Sequence, residues 1–477
     1  MPNSIICRFT RDLRLDDQAA LAAAAEHGAV VAALVLDEAF VASVNRSPRR
    51  TAFYCGAVAA LAAALRERGG ALVVRRGECA STLVTLAREC NATGVAWSAS
   101  YGSREKSADA ALRSAFERAG LRALCVHDAP AVPPEETAHG GTGYRSFQPY
   151  FERWREVAIA SYDRPLLTRF VTPGVRSHAL PEPKEYGANH RDDEASPGTA
   201  TALLERFVAG PALAYASARS VPAQNGTSRL GAHLSLGTIS LRAVVRAVLQ
   251  RHENPFLLAE ERLSLRTFLR SLAMRDFFLQ LSWFRQGSDD DPLQERMRGF
   301  PFANEHAALD AWREGRTGFP LVDAGMRQLA ECGWMHPHVR AVAASFLCFD
   351  LGVDWRIGRE TWDRLLVEDD PAIATGNWQW IAGVGADLAQ YPRIYNPMRQ
   401  QRRFDPESRY IRRYVEELRH LPSAAERLRG MPMLPIFDGA GYPRPVVDHD
   451  AAARSLLERY HRHTGAGSGV LRGTEKA

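Results

Sequence analysis

The first 130 residues alternate between short apolar runs and longer alanine-rich stretches. Each apolar run has the length and composition of one buried strand, whereas stretches such as residues 51–68 and 103–119 are rich in helix formers. Because two parallel strands of one sheet need a long crossover between them, usually a helix, this alternation predicts a doubly wound, parallel α/β sheet. Ligands of such sheets bind at the carboxyl ends of the strands. The predicted strands are residues 4–9, 30–36, 71–74, 94–97 and 121–126.

Beyond residue 200 the pattern changes, because apolar residues recur at helical spacing and no strand-like alternation of any length is present. The stretch between the two patterns is rich in proline, glycine and charge, which is typical of a connector, and contains one predicted helix at residues 146–160. A chain of 477 residues also exceeds the size of one hydrophobic core. We therefore predict an α/β domain over residues 1–130, a linker over 131–200 and an all-α domain over 201–477. Helices are predicted in the last domain at residues 203–209, 241–252, 258–284, 321–332, 339–351 and 359–367.

The composition, with 46% hydrophobic and 24% charged residues, is that of a soluble globular protein. The best candidate for a membrane span, residues 19–36, is broken by Glu26, His27 and Gly28. The N-terminus lacks the basic and apolar regions of a secretory signal, so we expect a cytoplasmic protein without a membrane partner, and a monomer. The seven cysteines are scattered without a C-x-x-C pair, which favours reduced thiols over disulfides or a metal site.

The positive charge of the chain is concentrated near its end. Residues 391–430 contain 10 Arg against 5 Asp plus Glu, an excess of five that equals the net charge of +5 for the whole chain. Clustered arginine suits phosphate contact because the guanidinium group binds phosphate oxygens in pairs. The alternative is a composition that uses arginine in place of lysine throughout, so charge alone leaves nucleic acid binding open.

A pair of tryptophans follows three carboxylates in the helical half. Trp378 and Trp380 are one residue apart and come soon after Glu368, Asp369 and Asp370. An indole brings a large apolar area and an N–H group that needs a partner, while carboxylates resist burial unless they are paired. A site that combines both suits a flat aromatic ring with polar edges that exchanges electrons. We therefore predict a redox cofactor.

Several long motifs, in the same order, resemble those of the DNA photolyase and cryptochrome family, and the match runs nearly end to end. The resemblance implies an N-terminal antenna domain and a helical domain that holds FAD in a U-shaped conformation. It also implies that light-excited reduced flavin gives an electron to a pyrimidine dimer flipped out of damaged DNA, which then splits. Cryptochromes keep the fold and the flavin but signal instead. The motifs are RDLRL at 11–15, PAQNGTSRL at 222–230, GFPLVDAGMRQL at 318–329, GWMH at 333–336 and NWQW at 377–380.

The resemblance assigns FAD binding to ten residues. Thr227 and Ser228 offer hydroxyls and backbone N–H groups where a loop enters a helix, which suits the FAD pyrophosphate, although such a motif alone is more often a helix N-cap. Glu368 stands where the family usually has Asp, and is expected to pair with Arg275. Asp323 is expected to be structural and to bond backbone groups. The ten positions are Tyr215, Thr227, Ser228, Arg229, Leu230, Arg275, Arg340, Glu368, Asp370 and Ala374.

The family usually supplies electrons to the flavin along three tryptophans. Trp378 and Trp355 match the proximal and middle members, and Trp380 matches a residue that faces the dimer. The distal position is Phe302, which is much harder to oxidise. The resemblance therefore implies a chain of electron-transfer sites that is truncated or that leaves through another residue.

The positions that bind the dimer depart from the family. Ser271 and Met274 replace a Glu and a Trp, Pro337 and His338 replace an Asn-Arg pair, and Ala374 replaces the Asn that faces flavin N5. Loss of the carboxylate removes a charge-assisted hydrogen bond of roughly 1.5–3 kcal/mol, and loss of the indole removes about 1–3 kcal/mol of stacking per base. Of the dimer-binding set, Trp380 is retained.

The antenna site departs as well, because Arg8 and Thr10 stand where Trp and Arg are common. Glu105 matches a carboxylate used by folate antennas, although a Glu near the start of a helix is ordinary. The resemblance therefore implies a folate or a deazaflavin as the antenna chromophore and leaves open an empty antenna site.

Two functions follow from these observations. The first is a light-driven lyase that splits pyrimidine dimers, and the second is a repair-inactive, cryptochrome-like photoreceptor or a repurposed flavoenzyme of the same fold. Overall similarity favours the lyase, whereas the substitutions at Ser271, Met274 and Pro337 favour the second function. A redox flavoprotein unrelated to light is disfavoured, since no G-x-G-x-x-G follows a strand.

Overall fold

The computed structural model divides the chain into two compact units. The first comprises Met1–Ala214, Ser228–Asp289 and Leu366–Ile373, and the second comprises Tyr215–Thr227, Asp290–Leu365 and Ala374–Ala477. The domain bounds predicted above remain a prediction. Asp369 and parts of the predicted linker, the 146–160 helix and the arginine-rich segment lie outside the described residues. The structure describes residues 4–138, 140–157, 159–162, 168–285, 287–302, 306–368, 370–386, 392, 394–420 and 441–465.

A five-stranded parallel sheet forms the core of the first unit, in the order β3-β2-β1-β4-β5. All eight residues of β2 are buried, as expected for a strand covered on both faces. The strand order reverses between β1 and β4, which places a ligand crevice at their carboxyl ends. The predicted doubly wound α/β fold is confirmed. The strands are β1 Ser4–Phe9, β2 Ala29–Leu36, β3 Leu72–Arg76, β4 Ala92–Ser98 and β5 Arg122–Val126.

Twelve α-helices lie before residue 290 in the described part of the chain. The longest, α12, has 26 residues and begins at a capping arrangement in which the backbone N–H of Leu258 donates to Glu261 at 2.8 Å. The helices are α1 Ala19–Ala25, α2 Glu38–Val44, α3 Pro48–Glu67, α4 Cys79–Glu89, α5 Ser103–Arg118, α6 Pro134–Thr137, α7 Phe147–Glu156, α8 Pro197–Ala209, α9 Tyr215–Ala218, α10 Gly231–Leu236, α11 Leu241–His252 and α12 Ala259–Phe284.

The remainder of the described chain is helical, which confirms the all-α prediction. Several predicted bounds were wrong, and the helix predicted at 203–209 begins at Pro197. The segment predicted at 339–351 is α-helical only to Ser345 and continues as a π-helical turn over Phe346–Asp350. The segment predicted at 359–367 begins earlier, because Asp354 caps the backbone N–H of Arg356 at 2.9 Å. These helices are α13 His306–Arg313, α14 Pro320–Cys332, α15 Pro337–Ser345, α16 Trp355–Asp363, α17 Pro371–Ile381, α18 Pro397–Phe404, α19 Arg409–Tyr414 and α20 His449–Thr464.

The predicted connector is held firmly where it leaves the sheet. The buried carboxylate of Asp276, on α12, accepts from the backbone N–H groups of Ala131 at 3.0 Å and Val132 at 3.2 Å. It also accepts from the indole N–H of Trp154 on α7 at 2.8 Å. A single side chain therefore attaches both the connector and α7 to α12.

A buried ion network joins the end of β5 to α11 within the first unit. Asp128 accepts from Arg14 at 2.7 Å and from Arg242 at 2.8 Å, and all three side chains are under 5% exposed. Arg242 also pairs with Asp17 at 3.2 Å. Burial by itself raises the pKa of Asp128, but Arg14 and Arg242 overcome this effect and hold the pKa at about 2.

Candidate functional site

An ion pair in the first unit joins two of the predicted FAD-binding residues. Arg275, on α12, donates to Asp370 at 2.7 Å, and the two side chains are 14% and 17% exposed. The same guanidinium lies 3.4 Å from the carbonyl oxygen of Leu234. Its Nε is buried and has no hydrogen-bond partner among the described residues. A ring with polar atoms along one edge could bond both the Nε–H of Arg275 and the carboxylate of Asp370.

Glu368 does not pair with Arg275, so this prediction was wrong. Its carboxylate lies against Gly231 instead, where a Cβ would come within 2.3 Å of the Glu368 oxygen. The shorter Asp370 takes the guanidinium. Glycine at position 231 therefore makes room for the longer acidic side chain that stands in place of the usual Asp.

Sequence reasoning missed Arg50, which supports this segment from α3. Its side chain is fully buried and donates to the backbone carbonyls of Leu366 at 3.2 Å and Glu368 at 3.0 Å. An arginine held against carbonyls far away in sequence gives no local signal, since it resembles any other arginine on a helix.

The two predicted substrate-binding residues on α12 offer few polar groups to a ligand. Ser271 and Met274 are three residues apart, so they lie on one face, and Ser271 is four residues before Arg275. The hydroxyl of Ser271 donates to the backbone carbonyl of Thr267 at 3.2 Å. The Ser271 hydroxyl therefore donates to its own helix, and it stands where the family has a Glu carboxylate.

In the second unit, His338 is a neutral side chain packed among its neighbours. Burial lowers the pKa of His338 to about 4. Its Nε2 lies 3.0 Å from the amide oxygen of Gln400, and its ring packs edge-on against Phe404 at 4.3 Å. The position that the family fills with a cation therefore offers no charge at neutral pH. Pro337 is the exposed first residue of the same helix, α15.

Two other predicted residues have clear surroundings in the second unit. Arg340 donates to the backbone carbonyl of Met335 at 2.8 Å. Asp323 is buried and accepts from the backbone N–H groups of Thr317 at 2.8 Å and Gly318 at 3.1 Å, so the structural role predicted for it is confirmed.

The ring of Trp378 has a neighbour that the sequence did not indicate, and the predicted electron-transfer roles of Trp378 and Trp355 stay predictions. The ring centroid of Trp378, a 4% exposed residue, lies 4.5 Å from that of Trp362. Trp362 was missed, because a tryptophan on a helix is more often an ordinary core residue. Trp355 is fully buried and lies under the guanidinium groups of Arg356 and Arg359.

The remaining predicted residues are distributed over both units, and their roles stay predictions. Tyr215 begins the short helix α9, and Arg229 has a left-handed backbone conformation at φ 58°. Ala374 and Trp380 lie on α17, a helix that was not predicted. Residues in the first unit are Ser228, Arg229, Leu230, Ser271, Met274, Arg275, Glu368 and Asp370, and those in the second are Tyr215, Thr227, Pro337, His338, Arg340, Trp355, Ala374, Trp378 and Trp380.

A crevice opens where the strand order reverses. Thr10 follows β1 and Tyr101 follows β4, while Glu105 and Asp370 complete part of the wall. The phenol of Tyr101 is 2.6 Å from His127, whose other ring nitrogen is 3.0 Å from a carboxylate oxygen of Glu135. The crevice therefore lies at the place that the strand order indicates.

Comparisons with known proteins agree with this geometry. A family model described as DNA photolyase matches residues 5–169, and one described as the FAD binding domain of DNA photolyase matches residues 268–462. A deoxyribodipyrimidine photo-lyase of Streptomyces griseus is 36% identical over 474 residues, which cover 94% of this chain and 97% of that one. A class III photolyase of Agrobacterium tumefaciens has a TM-score of 0.83 at 29% identity, with 97% and 98% of the two chains covered. A photolyase of Sulfolobus tokodaii, solved with two FAD molecules, has a TM-score of 0.79 at 27% identity, with 96% and 100% covered.

The two family models and the likeness of the whole fold place the chain in the photolyase and cryptochrome class of flavoproteins. The chain belongs to the DNA photolyase family and carries the FAD-binding domain of that family. The prediction of FAD as the cofactor is confirmed. Among the described residues, no helix is both long and apolar enough to cross a membrane.

Replacing Arg275 by glutamine is expected to weaken FAD binding by about ten- to a hundredfold. The change removes a charge-assisted interaction of roughly 1.5–3 kcal/mol and leaves Asp370 without its ion-pair partner. Titration of the FAD-free protein with FAD, followed by flavin fluorescence, measures the effect. Arg270→Gln, on the same helix but exposed, is the matched control and should bind FAD as the unmodified protein does. Equal affinities for the two variants would contradict the role of Arg275.

Proposed function

We propose that this protein is a FAD-dependent photolyase that uses light to split pyrimidine dimers in damaged DNA. The observation that carries the proposal is the full-length similarity to a relative named deoxyribodipyrimidine photo-lyase, which covers 94% of this chain. When bound, FAD supplies the electron that splits the dimer.

The chain's own residues would orient the flavin. Arg275 has a buried donor to spare at Nε, and Asp370 has carboxylate oxygens that can accept from a ring N–H. Because both charges are largely buried and already paired, they are fixed before the flavin arrives. Ala374 has no side-chain amide, so flavin N5 would lack the partner that the family's Asn usually provides.

The basic surface on α18 and α19 supports DNA as the partner. Arg402 and Arg403 on α18 and Arg409 and Arg413 on α19 are exposed. Exposed guanidinium groups on neighbouring short helices suit a phosphate backbone. Each phosphate contact releases counterions, so binding should weaken steeply as salt is raised.

The crevice at the carboxyl ends of β1 and β4 would hold an antenna chromophore. It lies where ligands of doubly wound parallel sheets bind. Glu105 lines it, as the resemblance to folate antennas implies. A folate and a deazaflavin are the two candidates, and extraction of the bound chromophore distinguishes them.

Dimer splitting tests the proposed function. The purified, chemically reduced protein is incubated with UV-irradiated oligothymidylate under blue light, and the recovery of thymine absorbance is followed. We expect recovery in the light and none in the dark. No recovery from protein that contains FAD would contradict dimer repair.

Two observations favour a second function, a cryptochrome-like photoreceptor or a repurposed flavoenzyme without repair activity. The hydroxyl of Ser271 is bonded to its own helix, and His338 is neutral and packed against Phe404. Neither position offers the charge that would hold a dimer. Light-dependent change in the flavin spectrum together with failure of the splitting assay would support this function.

A further inference from the structure

The helices α11 and α12 meet at an exposed apolar corner. Phe256 is 90% exposed, Leu258 is 59% exposed and Leu263 is 58% exposed. Phe256 and Leu258 belong to the loop between the two helices, residues 253–258, which we call the corner loop, and Leu263 lies at the start of α12. Large apolar side chains that are exposed together mark a binding surface, whereas a single one needs no explanation.

Hydrogen bonds fix the backbone of the corner loop. The guanidinium group of Arg262, on α12, donates to the backbone carbonyls of His252 and Asn254, both at 2.8 Å. The side-chain oxygen of Asn254 accepts from the backbone N–H of Phe256 at 2.9 Å. An ordered loop therefore presents the ring of Phe256 to solvent, and a partner that covers the ring has little further chain to order.

A row of arginines continues from the corner loop along α12. Arg262, Arg266 and Arg270 are four residues apart, so they follow one another on one side of the helix. Residues 262–275 contain four Arg and no Asp or Glu. Arg270 donates to Gln148 at 2.8 Å, whereas Arg266 is exposed and has no hydrogen-bond or ion-pair partner among the described residues. Like charges at this spacing repel each other, so an anion bound at Arg266 would stabilise the row.

The same face of α12 leads to the predicted substrate positions. Leu263, Ser271 and Met274 are eight and three residues apart, a spacing that returns to one face of a helix. The corner loop ends thirteen residues before Ser271, which corresponds to about 20 Å at about 1.5 Å per residue. A strand of B-form DNA that follows α12 advances about 3.4 Å per nucleotide, which places the corner loop about six nucleotides from a base held at Ser271.

The charges beside the corner loop decide which part of a strand fits there. Glu253 and Glu260 are exposed, and carboxylates on either side of Phe256 repel phosphate. The ring suits an uncharged base, since every base has a face that stacks on an aromatic side chain. Arg266, further along α12, suits a phosphate. A purely apolar partner protein would cover the ring but leave the arginine row without an anion, so a nucleic acid strand fits the whole surface better.

We propose, on the basis of the photolyase function above, that Phe256 and Arg266 form a second DNA contact, separate from the predicted dimer-binding positions. A base of the strand that flanks the lesion stacks on Phe256, and a phosphate of the same strand pairs with Arg266. The contact does not use Ser271 or Met274, where the charge and the indole of the family are replaced. It therefore supplies affinity for DNA that those two positions do not.

Binding of single strands of two lengths tests this contact. Each oligothymidylate carries one dimer at its centre, with about ten nucleotides on each side in the long strand and about three in the short one, and fluorescence anisotropy measures Kd. We expect Phe256→Ala to weaken binding of the long strand by about five- to a hundredfold, because one stacked base is lost, and to leave binding of the short strand unchanged. Arg266→Gln should weaken binding of the long strand and reduce the slope of log affinity against log salt by about 0.7.

Two further measurements control for charge and locate the contact. Arg118→Gln is the matched control, since Arg118 is an exposed arginine on α5, and it should bind both strands as the unmodified protein does. 2-Aminopurine, a fluorescent base, is placed about six nucleotides from the dimer. Its emission should change on binding to the unmodified protein but not on binding to Phe256→Ala.

The outcomes separate this contact from the proposed function. The contact is wrong if the unmodified protein binds the two strands equally, or if Phe256→Ala loses no affinity or loses the same factor on both strands. It is also wrong if sedimentation shows that Phe256→Ala abolishes self-association while the affinity for DNA is unchanged, because a second copy of the chain then covers the surface. Dimer splitting by the reduced protein reports the proposed function. Its failure while Phe256-dependent binding of the long strand persists contradicts that function alone.

Discussion

Replacing Ser271 by glutamate and Met274 by tryptophan together is expected to raise the affinity for UV-damaged oligothymidylate by about two to four orders of magnitude. The carboxylate contributes roughly 1.5–3 kcal/mol through a charge-assisted hydrogen bond, and the indole contributes about 1–3 kcal/mol by stacking on a base. Both positions are partly exposed and lie on one face of α12, so the larger side chains can be accommodated. Fluorescence anisotropy of a labelled oligonucleotide measures the change.

The single variants and an undamaged oligonucleotide are the controls. Each single change should give part of the gain, and the two gains should combine, although neighbouring sites need not add fully. Affinity for the undamaged oligonucleotide should stay nearly constant, since the exposed arginines that would contact phosphate are unchanged. An unchanged affinity for the damaged strand would show that these positions do not limit dimer binding.

Replacing Asp128 by alanine is expected to lower the free energy of unfolding by about 3–5 kcal/mol, because it leaves buried charge without a partner. Arg14 and Arg242 are only 4% and 2% exposed, so water cannot replace the lost carboxylate. The matched control is Asp16→Ala, since Asp16 is 69% exposed in its pair with Arg68 and should cost less than about 1 kcal/mol. Urea denaturation measures both, and similar losses would contradict the importance of the network.

The same network predicts a dependence of stability on acid. The pKa of Asp128 is lowered to about 2 in the folded protein, so this carboxylate stabilises the fold above its unfolded pKa of about 4. The stabilisation, about 2 kcal/mol, is lost as the pH falls from about 4 toward 2. Unfolding at a series of pH values should show this loss. In Asp128→Asn the dependence should be smaller, and an identical acid profile would contradict the assignment.

The sheet could be predicted closely from the sequence because its strands are buried on both faces. Such strands appear as apolar runs, and the five predicted segments overlap the five observed strands. The helix α12 was predicted within one residue of its observed start. Its apolar pattern extends over many turns, so the helix can be recognised without any single residue. Bounds that depend on a single capping side chain, such as Asp354, were harder to predict.

Features that depend on distant contacts could not be predicted. α17 contains Gly376 and β-branched residues, so its composition does not favour a helix. The choice of Asp370 over Glu368 as the partner of Arg275 depends on which side chain fits beside Gly231. No local pattern in the sequence reports that geometry.

The contacts among the tryptophans of the second unit show the same limit. A resemblance identifies Trp378 by its motif, but the partner of its ring is decided by packing around Gly358. Trp362 and Trp312 occur in stretches of sequence without any unusual composition. Their contact becomes visible only when α13 and α16 are placed side by side in space.

The absorption spectrum of the purified protein tests the central claim most directly. If the helical half holds FAD, the protein should be coloured, or should become so when FAD is added, and should contain about one flavin per chain. Release by denaturation and quantification of the flavin would confirm the identity of the chromophore. A colourless protein that takes up no added FAD would contradict the account, and the family likeness would then reflect ancestry alone.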